Sequence, residues 1–239
     1  MHEDIKANAI KTLAGGVAHD FNNLLMGIQG NVSLMLLNTD SSHPNYKKLK
    51  NIEKNIKSGA EVTTKILGFA KGGEYSFTSL DINPIVCDTA RIFKITRDKI
   101  KLHEKYQKNI FTVRADKNQI EKVLNNLYAN AWDAMLNGGG LYLKTENVLI
   151  DDRCSDRLNL KSGRYVKISV TDTGAGMDQA TCKRVFEPYF TTKEMGRGTG
   201  LGLAFAAGII KNHFGLITAS SEKGRGSAFE IYLPALSDS

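Results

Sequence analysis

The sequence predicts an α-helical hairpin followed by a mixed α and β domain in which a sheet is layered on helices. Three observations carry this expectation. Up to about Lys71 the apolar residues recur at helical spacing. Lys71-Gly72-Gly73 then breaks the pattern. Beyond it, alternating apolar and polar runs are interleaved with further helical stripes. The expected units are therefore 1–73 and 74–239.

The first stripe runs through Ile10, Leu13, Val17, Phe21, Leu24, Ile28, Val32 and Met35, in steps of three and four. Asn38 to Asn45 is a polar run of turn residues. The second stripe, Leu49, Ile52, Ile56, Gly59, Thr63, Ile66 and Ala70, alternates steps of three and four like a heptad seam. One hairpin cannot bury both stripes. The simplest solution is a second copy, giving a four-helix bundle in a homodimer. In the second unit a short strand is expected over Phe77–Ile82, then a helix over Pro84–Ile95 with Asn83 as its N-cap. Strands are expected over Lys101–Tyr106 and Phe111–Val113, and a strong helix over Lys117–Leu136, ended by Gly138-Gly139-Gly140. Leu141–Ile150 and Tyr165–Val170 alternate as strands around a polar insertion, Asp151 to Gly163. A helix over Leu201–Phe214 precedes a closing hairpin, Ile217–Ser221 with Ser227–Leu233.

Composition narrows the class. The chain has 239 residues, 41% of them hydrophobic and 24% charged, a soluble globular profile. Its longest near-apolar run, Leu201 to Ile210, is too short for a membrane span, which needs about 18 residues or more. No signal segment is expected at the start. The net charge of +7 suggests an anionic partner: a nucleotide, a nucleic acid or an acidic protein. Cys87, Cys154 and Cys182 are too scattered for a disulfide framework, and no His-x-x-x-His pair occurs. A reducing cytoplasm and no structural metal are expected.

Four constellations carry chemistry. At about 100° per residue, His19 points away from Val17 and Phe21, opposite the seam. Asp20 adjoins it, to fix the tautomer or take its proton, and Asn23 shares its face at i+4. Gly15 and Gly16 clear space for something to approach, as a nucleophilic imidazole requires. Asp172-Thr-Gly-Ala-Gly-Met177 follows a strand, and Gly196-Arg-Gly-Thr-Gly-Leu-Gly202 precedes a helix. Such loops bring backbone N–H groups close to phosphate. They fit neither the Rossmann nor the Walker pattern. Asn126 and Asn130 share one helix face, and an amide oxygen suits magnesium held by nucleotide phosphates. Between the two loops, Phe186 and Phe190 resemble anchors of a lid, with Lys193 or Arg197 placed to meet a terminal phosphate.

Together these segments resemble the sensor histidine kinases of bacterial two-component signalling, in family order and over nearly the whole chain. LAGGVAHDFNNLL resembles the phospho-acceptor box, NQIEKVLNNLYANAWDAM the asparagine box and DTGAGM the first glycine box. FEPYFTTK resembles the phenylalanine box and GRGTGLGL the second glycine box. KGRGSAFEIYLP resembles the closing motif, with Ser227 where Thr is common. The HDFNN form is similar to kinases of the nitrogen-regulation type and to many hybrid kinases.

The resemblance implies a dimerisation and phosphotransfer hairpin joined to an α+β two-layer sandwich of the gyrase, chaperone and histidine-kinase ATPase superfold. It implies ATP and Mg as cofactors, and a response regulator receiver domain as partner. His19 would be the phosphorylated nucleophile and Asp20 its base. Asn23 would assist dephosphorylation of the regulator. Asn130 would coordinate Mg, with Asn126 near the phosphates. Asp172 would accept from the adenine amino group. Gly174, Gly176, Gly198, Gly200 and Gly202 would shape pocket and lid. Asp133, Met177, Phe186, Phe190, Thr192, Lys193, Arg197, Thr199 and Leu201 would complete the nucleotide site. No nucleic-acid motif accompanies the basic charge, and nothing in this chain calls for a membrane, although a longer parent can be anchored.

Two rivals remain. A hydrolysing ATPase of the same superfold needs a carboxylate one turn before the metal-binding asparagine, where this chain has Asn126. A pseudokinase scaffold would bind partners through its bundle without turnover.

Overall fold

The turn between the first two helices is made by side chains that compete for the helix's own backbone. In the computed structural model, which describes residues 21, 24–40, 42–56, 59, 75–95, 97–152, 155, 158, 160–188, 190–193 and 200–236, α1 spans 24–37 and α2 spans 46–56. Thr39 Oγ1 and Asn38 Nδ2 donate back to the carbonyls of Met35 and Leu34 and end α1. Asp40 Oδ1 accepts from the Ser42 N–H at 2.8 Å, which turns the chain. A Cβ at Gly59 would sit 3.4 Å from both methyl carbons of Leu25, so the two segments return antiparallel. Val32 and Ile56 are buried, whereas Leu24, Ile28, Met35 and Ile52 of the same stripes stay exposed. The outer parts of both stripes, with His19, Asp20 and Asn23, lie outside the described residues.

The chain divides into two units, Met1–Glu74 and Tyr75–Ser239. The second contains, in order, β1 (Thr78–Leu80), α3 (Ile82–Ile95), β2 (Ile100–Tyr106), β3 (Val113–Ala115), α4 (Lys117–Ala134), β4 (Gly139–Ile150), β5 (Gly163–Asp172), α5 (Gln179–Arg184), α6 (Gly202–Asn212), β6 (Leu216–Glu222) and β7 (Gly226–Pro234). Five strands form one sheet in the order β2-β4-β5-β7-β6, with β2 and β4 parallel and the other neighbours antiparallel. β1 and β3 pair separately, Leu80 opposite Val113.

Strand alternation sorts the two faces of the sheet. Leu141, Leu143, Ile168, Val170, Phe229 and Ile231 pack with Val86, Ala90, Val123, Leu124, Leu127 and Ile210 of α3, α4 and α6 in one core. At the other face Lys167 pairs with Glu230 at 2.6 Å, and Lys144 with Glu146 at 2.6 Å. Past Ile150, the insertion lays Leu158 and Leu160 against a small cluster of Ile150, Tyr165 and Tyr232. Among the described residues no helix is long and apolar enough to cross a membrane.

Three local expectations need correction. Asn83 is not the N-cap of α3. Asp81 Oδ1 accepts from the Asn83 N–H at 2.8 Å, and the Asn83 side chain instead joins Gln107 O to Thr145 Oγ1. The third strand sits two residues later than Phe111–Val113, because Val113 and Ala115 are the buried alternate pair, while the Phe111 N–H donates to the Asn147 side chain. A short helix, α5, stands where none was expected, started by Asp178 accepting from the Thr181 N–H at 2.7 Å.

One buried histidine ties these elements together. His213 follows α6 and is 1% exposed. Its Nδ1 faces the Ile209 carbonyl at 2.8 Å, and its Nε2 accepts from the Asp116 N–H at 3.0 Å. These partners select the neutral ring with its proton on Nδ1. Asp116 itself caps α4 through Gln119 N–H and accepts from Ser76 N–H at 2.9 Å. The rings of Tyr75 and Phe77 meet the imidazole edgewise. Burial holds His213 below its ordinary pKa of 6.5, against the opposing pull of the Ile209 carbonyl and, after it, of Asp116. The unfolded chain therefore takes up this proton first, and stability falls as pH drops through about 6.5. Thermal unfolding followed between pH 8 and pH 5 should show a falling midpoint that His213→Gln, which keeps one donor and one acceptor, flattens. An identical slope in the variant would assign the acid sensitivity elsewhere.

Candidate functional site

α4 has two sides because its sequence has two periodic stripes. Ile120, Val123, Leu124, Leu127, Tyr128 and Ala131 are buried. Asn126, Asn130 and Asp133, at i, i+4 and i+7, follow one another along a polar stripe. Burying the first stripe therefore leaves the second at the surface.

The glycine loop after β5 closes over the end of this helix. Asp172, 3% exposed, ends the strand, and its Oδ1 accepts from the Gly174 N–H at 2.8 Å. Burial raises the pKa of this carboxyl, opposed by the Gly174 and Ser227 N–H groups that stabilise its charge. The Ala175 N–H donates to Ala134 O, the last carbonyl of α4, at 3.0 Å. The Gly224 N–H donates to Ala175 O at 2.7 Å from the β6–β7 turn. A Cβ at Gly174 would meet both Ala134 Cβ and Ala134 O at 2.6 Å. At Gly176, φ is +62° and a Cβ would lie 2.1 Å from Glu222 O. The loop is thus held between α4 and the last hairpin at distances that only glycine permits.

The remaining expected residues approach from the other side. At the N-terminus of α6, Leu201 is buried and Gly202 begins the helix. A Cβ on Gly202 would come within 3.2 Å of Asn126 Oδ1. First-turn N–H groups and the helix dipole there favour an anion. Lys193 Nζ lies 2.5 Å from Asp133 Oδ2 and 3.4 Å from Asn130 Oδ1. The Phe186 ring meets Phe229 edgewise and packs against the core, while Phe190 lies under the Arg184 guanidinium. Met177 donates its N–H to Ser221 Oγ at 2.7 Å. Thr192 is exposed, and Gly200 adopts a positive φ just before α6. Arg197, Gly198 and Thr199 lie outside the described residues.

Sequence reasoning missed Thr173 and Ser221. Thr173 Oγ1 accepts from the Gly140 N–H at 2.9 Å, pinning the start of β4 beside the loop. Ser221 also donates to Gly226 O and lies 3.1 Å from Ser227 Oγ. Thr173 lies inside the Asp172–Met177 glycine run and Ser221 borders the closing hairpin, and in neither place does the pattern mark a hydroxyl as a partner. Among the described residues no group of three His, Cys, Asp or Glu side chains is placed to hold a metal. A divalent ion at Asn130 would need ligands supplied by phosphate.

A family model described as histidine kinase-, DNA gyrase B-, and HSP90-like ATPase matches residues 115–237. The sensor kinase CckA of Brucella abortus (strain 2308) is 37% identical over 238 residues, 99% of this chain and 25% of that protein. A crystal structure of full-length ShkA in complex with AMPPNP aligns over 95% of this chain and 46% of that one, with TM-score 0.72 and 23% identity. A crystal structure of the histidine kinase ThkA in complex with response regulator protein TrrA covers 94% of this chain and 61% of that one, with TM-score 0.64 and 22% identity. The chain thus spans a quarter of the Brucella kinase.

The contact between the loop and α4 can be tested directly. Gly174→Ala should lower stability by about 1–3 kcal/mol, the cost of overpacking, read from denaturant unfolding by Trp132, the chain's one tryptophan. Adding Ala134→Gly should restore little, because the Ala134 carbonyl remains in the way. Full rescue would mean that the clash is between side chains alone.

Proposed function

Because the chain belongs to the family of histidine kinase-, DNA gyrase B- and HSP90-like ATPases, we propose that it is the catalytic core of a protein histidine kinase. It binds ATP between the free side of α4, the glycine loop and the start of α6, phosphorylates His19, and passes the phosphoryl group to an aspartate of a response regulator. The observation that carries this reading is the asparagine stripe of α4 beside the N-terminus of α6, with a buried carboxylate closing the glycine loop. Asp172 accepts from the adenine amino group in its charged form. The α6 N-terminus and Lys193 balance phosphate charge. Asn130 is the residue to hold magnesium through its amide oxygen, with Asn126 beside the phosphates. Magnesium, when bound, supplies charge neutralisation on the phosphates.

In the transfer itself, an imidazole nitrogen of His19 forms a bond to the γ-phosphorus as the bond to the bridging oxygen breaks and ADP leaves. Asp20 takes up the imidazole proton. The N–P bond then breaks as the regulator's carboxylate oxygen binds phosphorus. Asn126 supports transfer over hydrolysis, since an amide is too weak a base to activate water. Asn23 assists removal of phosphate from the regulator.

The protein acts as a homodimer in the cytoplasm. Leu24, Ile28, Met35 and Ile52 are exposed in a single chain although they lie on the helices' apolar stripes, and a second hairpin would cover them.

Three experiments test this. With γ-labelled ATP and Mg, the wild type should acquire acid-labile, alkali-stable label that His19→Gln lacks. Asn130→Ala should reduce labelling by about 100-fold or more, the usual cost of losing a preorganised electrostatic contact. Asn23→Ala should label normally but slow dephosphorylation of the regulator. Label on His19→Gln, or unlabelled wild type that still binds ATP, would defeat the kinase reading, the second favouring a scaffold. Sedimentation should give a dimer for the wild type and a monomer for Ile28→Asp. A dimer in both would remove the bundle.

A further inference from the structure

Asp133 is at first sight misplaced. It lies one turn beyond Asn130 on the polar stripe of α4, beside a site proposed to receive a polyphosphate. A bare carboxylate there would repel the ligand. The structure gives it a partner drawn from sixty residues away: Lys193 Nζ stands 2.5 Å from Asp133 Oδ2 and also reaches Asn130 Oδ1 at 3.4 Å.

An ammonium group carries three N–H donors. One points to the carboxylate and one to the amide oxygen, which leaves the third. The two side chains are 34% and 43% exposed, and pairs so exposed add little to stability. The pair is therefore a poor candidate for a fold staple. What it does achieve is placement. A lysine ends a flexible four-carbon stem and loses much rotamer freedom when its head is fixed. Asp133, held on a helix whose other side is core, supplies that fixing point. The Lys193 backbone N–H donates in turn to Thr191 Oγ1 at 3.1 Å, which restrains the stem at its base.

We propose that Asp133 is a positioning residue that presents the Lys193 ammonium, beside Asn130, to the terminal phosphate of ATP. This rests on the ATP-binding reading above and deepens it. It assigns Asp133 neither to the metal nor to the nucleotide, but to the lysine. It also makes the site read phosphate number. A diphosphate ends short of the ammonium, whereas a triphosphate meets it.

The test is calorimetric titration of the full chain, in magnesium, with AMPPNP and separately with ADP. Asp133→Asn and Lys193→Ala should each weaken AMPPNP about tenfold, the scale of one charge-assisted hydrogen bond, while ADP changes less than about twofold on the same scale. The double variant should bind AMPPNP no more weakly than Lys193→Ala alone, because Asp133 acts only through the lysine. Equal weakening of both nucleotides would reduce the pair to a structural contact. Additive losses would give the two residues independent roles. Tighter AMPPNP binding by Asp133→Asn would make the carboxylate an obstacle. Each of these overturns the proposal while leaving nucleotide binding intact. A wild type that binds neither nucleotide would overturn the ATP reading, and this proposal with it.

Discussion

The second unit depends on α4 being buried along one stripe and free along the other. Its inward residues, from Ile120 to Ala131, contribute to a core that also holds α3, α6 and one face of the sheet. Each large side chain there is worth about 1.5–3 kcal/mol when fully buried, so the helix cannot rotate without losing much of that. The orientation of Asn126, Asn130 and Asp133 follows as a consequence of packing. Tyr128 shows how firmly the inner stripe is set. It is fully buried, its hydroxyl 3.5 Å from Thr89 Oγ1, and burial pushes its pKa upward. At the helix start, Asp116 caps the first turn while its own N–H is taken by His213. At the end, the Ala134 carbonyl is taken by the glycine loop. Both termini are therefore committed to neighbours, and the second of these neighbours borders the site.

The glycine loop illustrates a steric constraint with an electrostatic result. Close approach to Ala134 O and to Glu222 O excludes a Cβ at Gly174 and Gly176. That closeness brings backbone N–H groups around Asp172, a carboxylate that burial alone would push toward its neutral form. The N–H groups of Gly174 and Ser227 oppose that shift. A buried carboxylate is thus made tolerable by the loop that forms the wall around it.

Much of this was legible in the sequence, for stated reasons. Leu141, Leu143, Ile168 and Val170 alternate because one sheet face is dry, and period two survives any detail of register. Ile120 through Ala131 repeat at helical spacing for the same reason. What failed was local chemistry with near-equal competitors. Asp81 and Asn83 are both good caps, and Asn83 is occupied instead by Gln107 and Thr145. Phe111 is apolar enough to look like strand, yet its N–H is claimed by Asn147. The pairing of Lys193 with Asp133, and of His213 with Asp116, leaves no periodic trace, since each joins residues far apart in the chain. The polar stripe of α4 and the glycines after β5 were legible as residue types on elements; their mutual partners were not.

The two units also differ in how complete they are. In the second, a sheet face and three helices close a core from one chain. In the first, Val32 and Ile56 are buried while their stripe neighbours remain wet. Exposing Leu24, Ile28, Met35 and Ile52 forgoes burial energy that the same residues would gain against another apolar face.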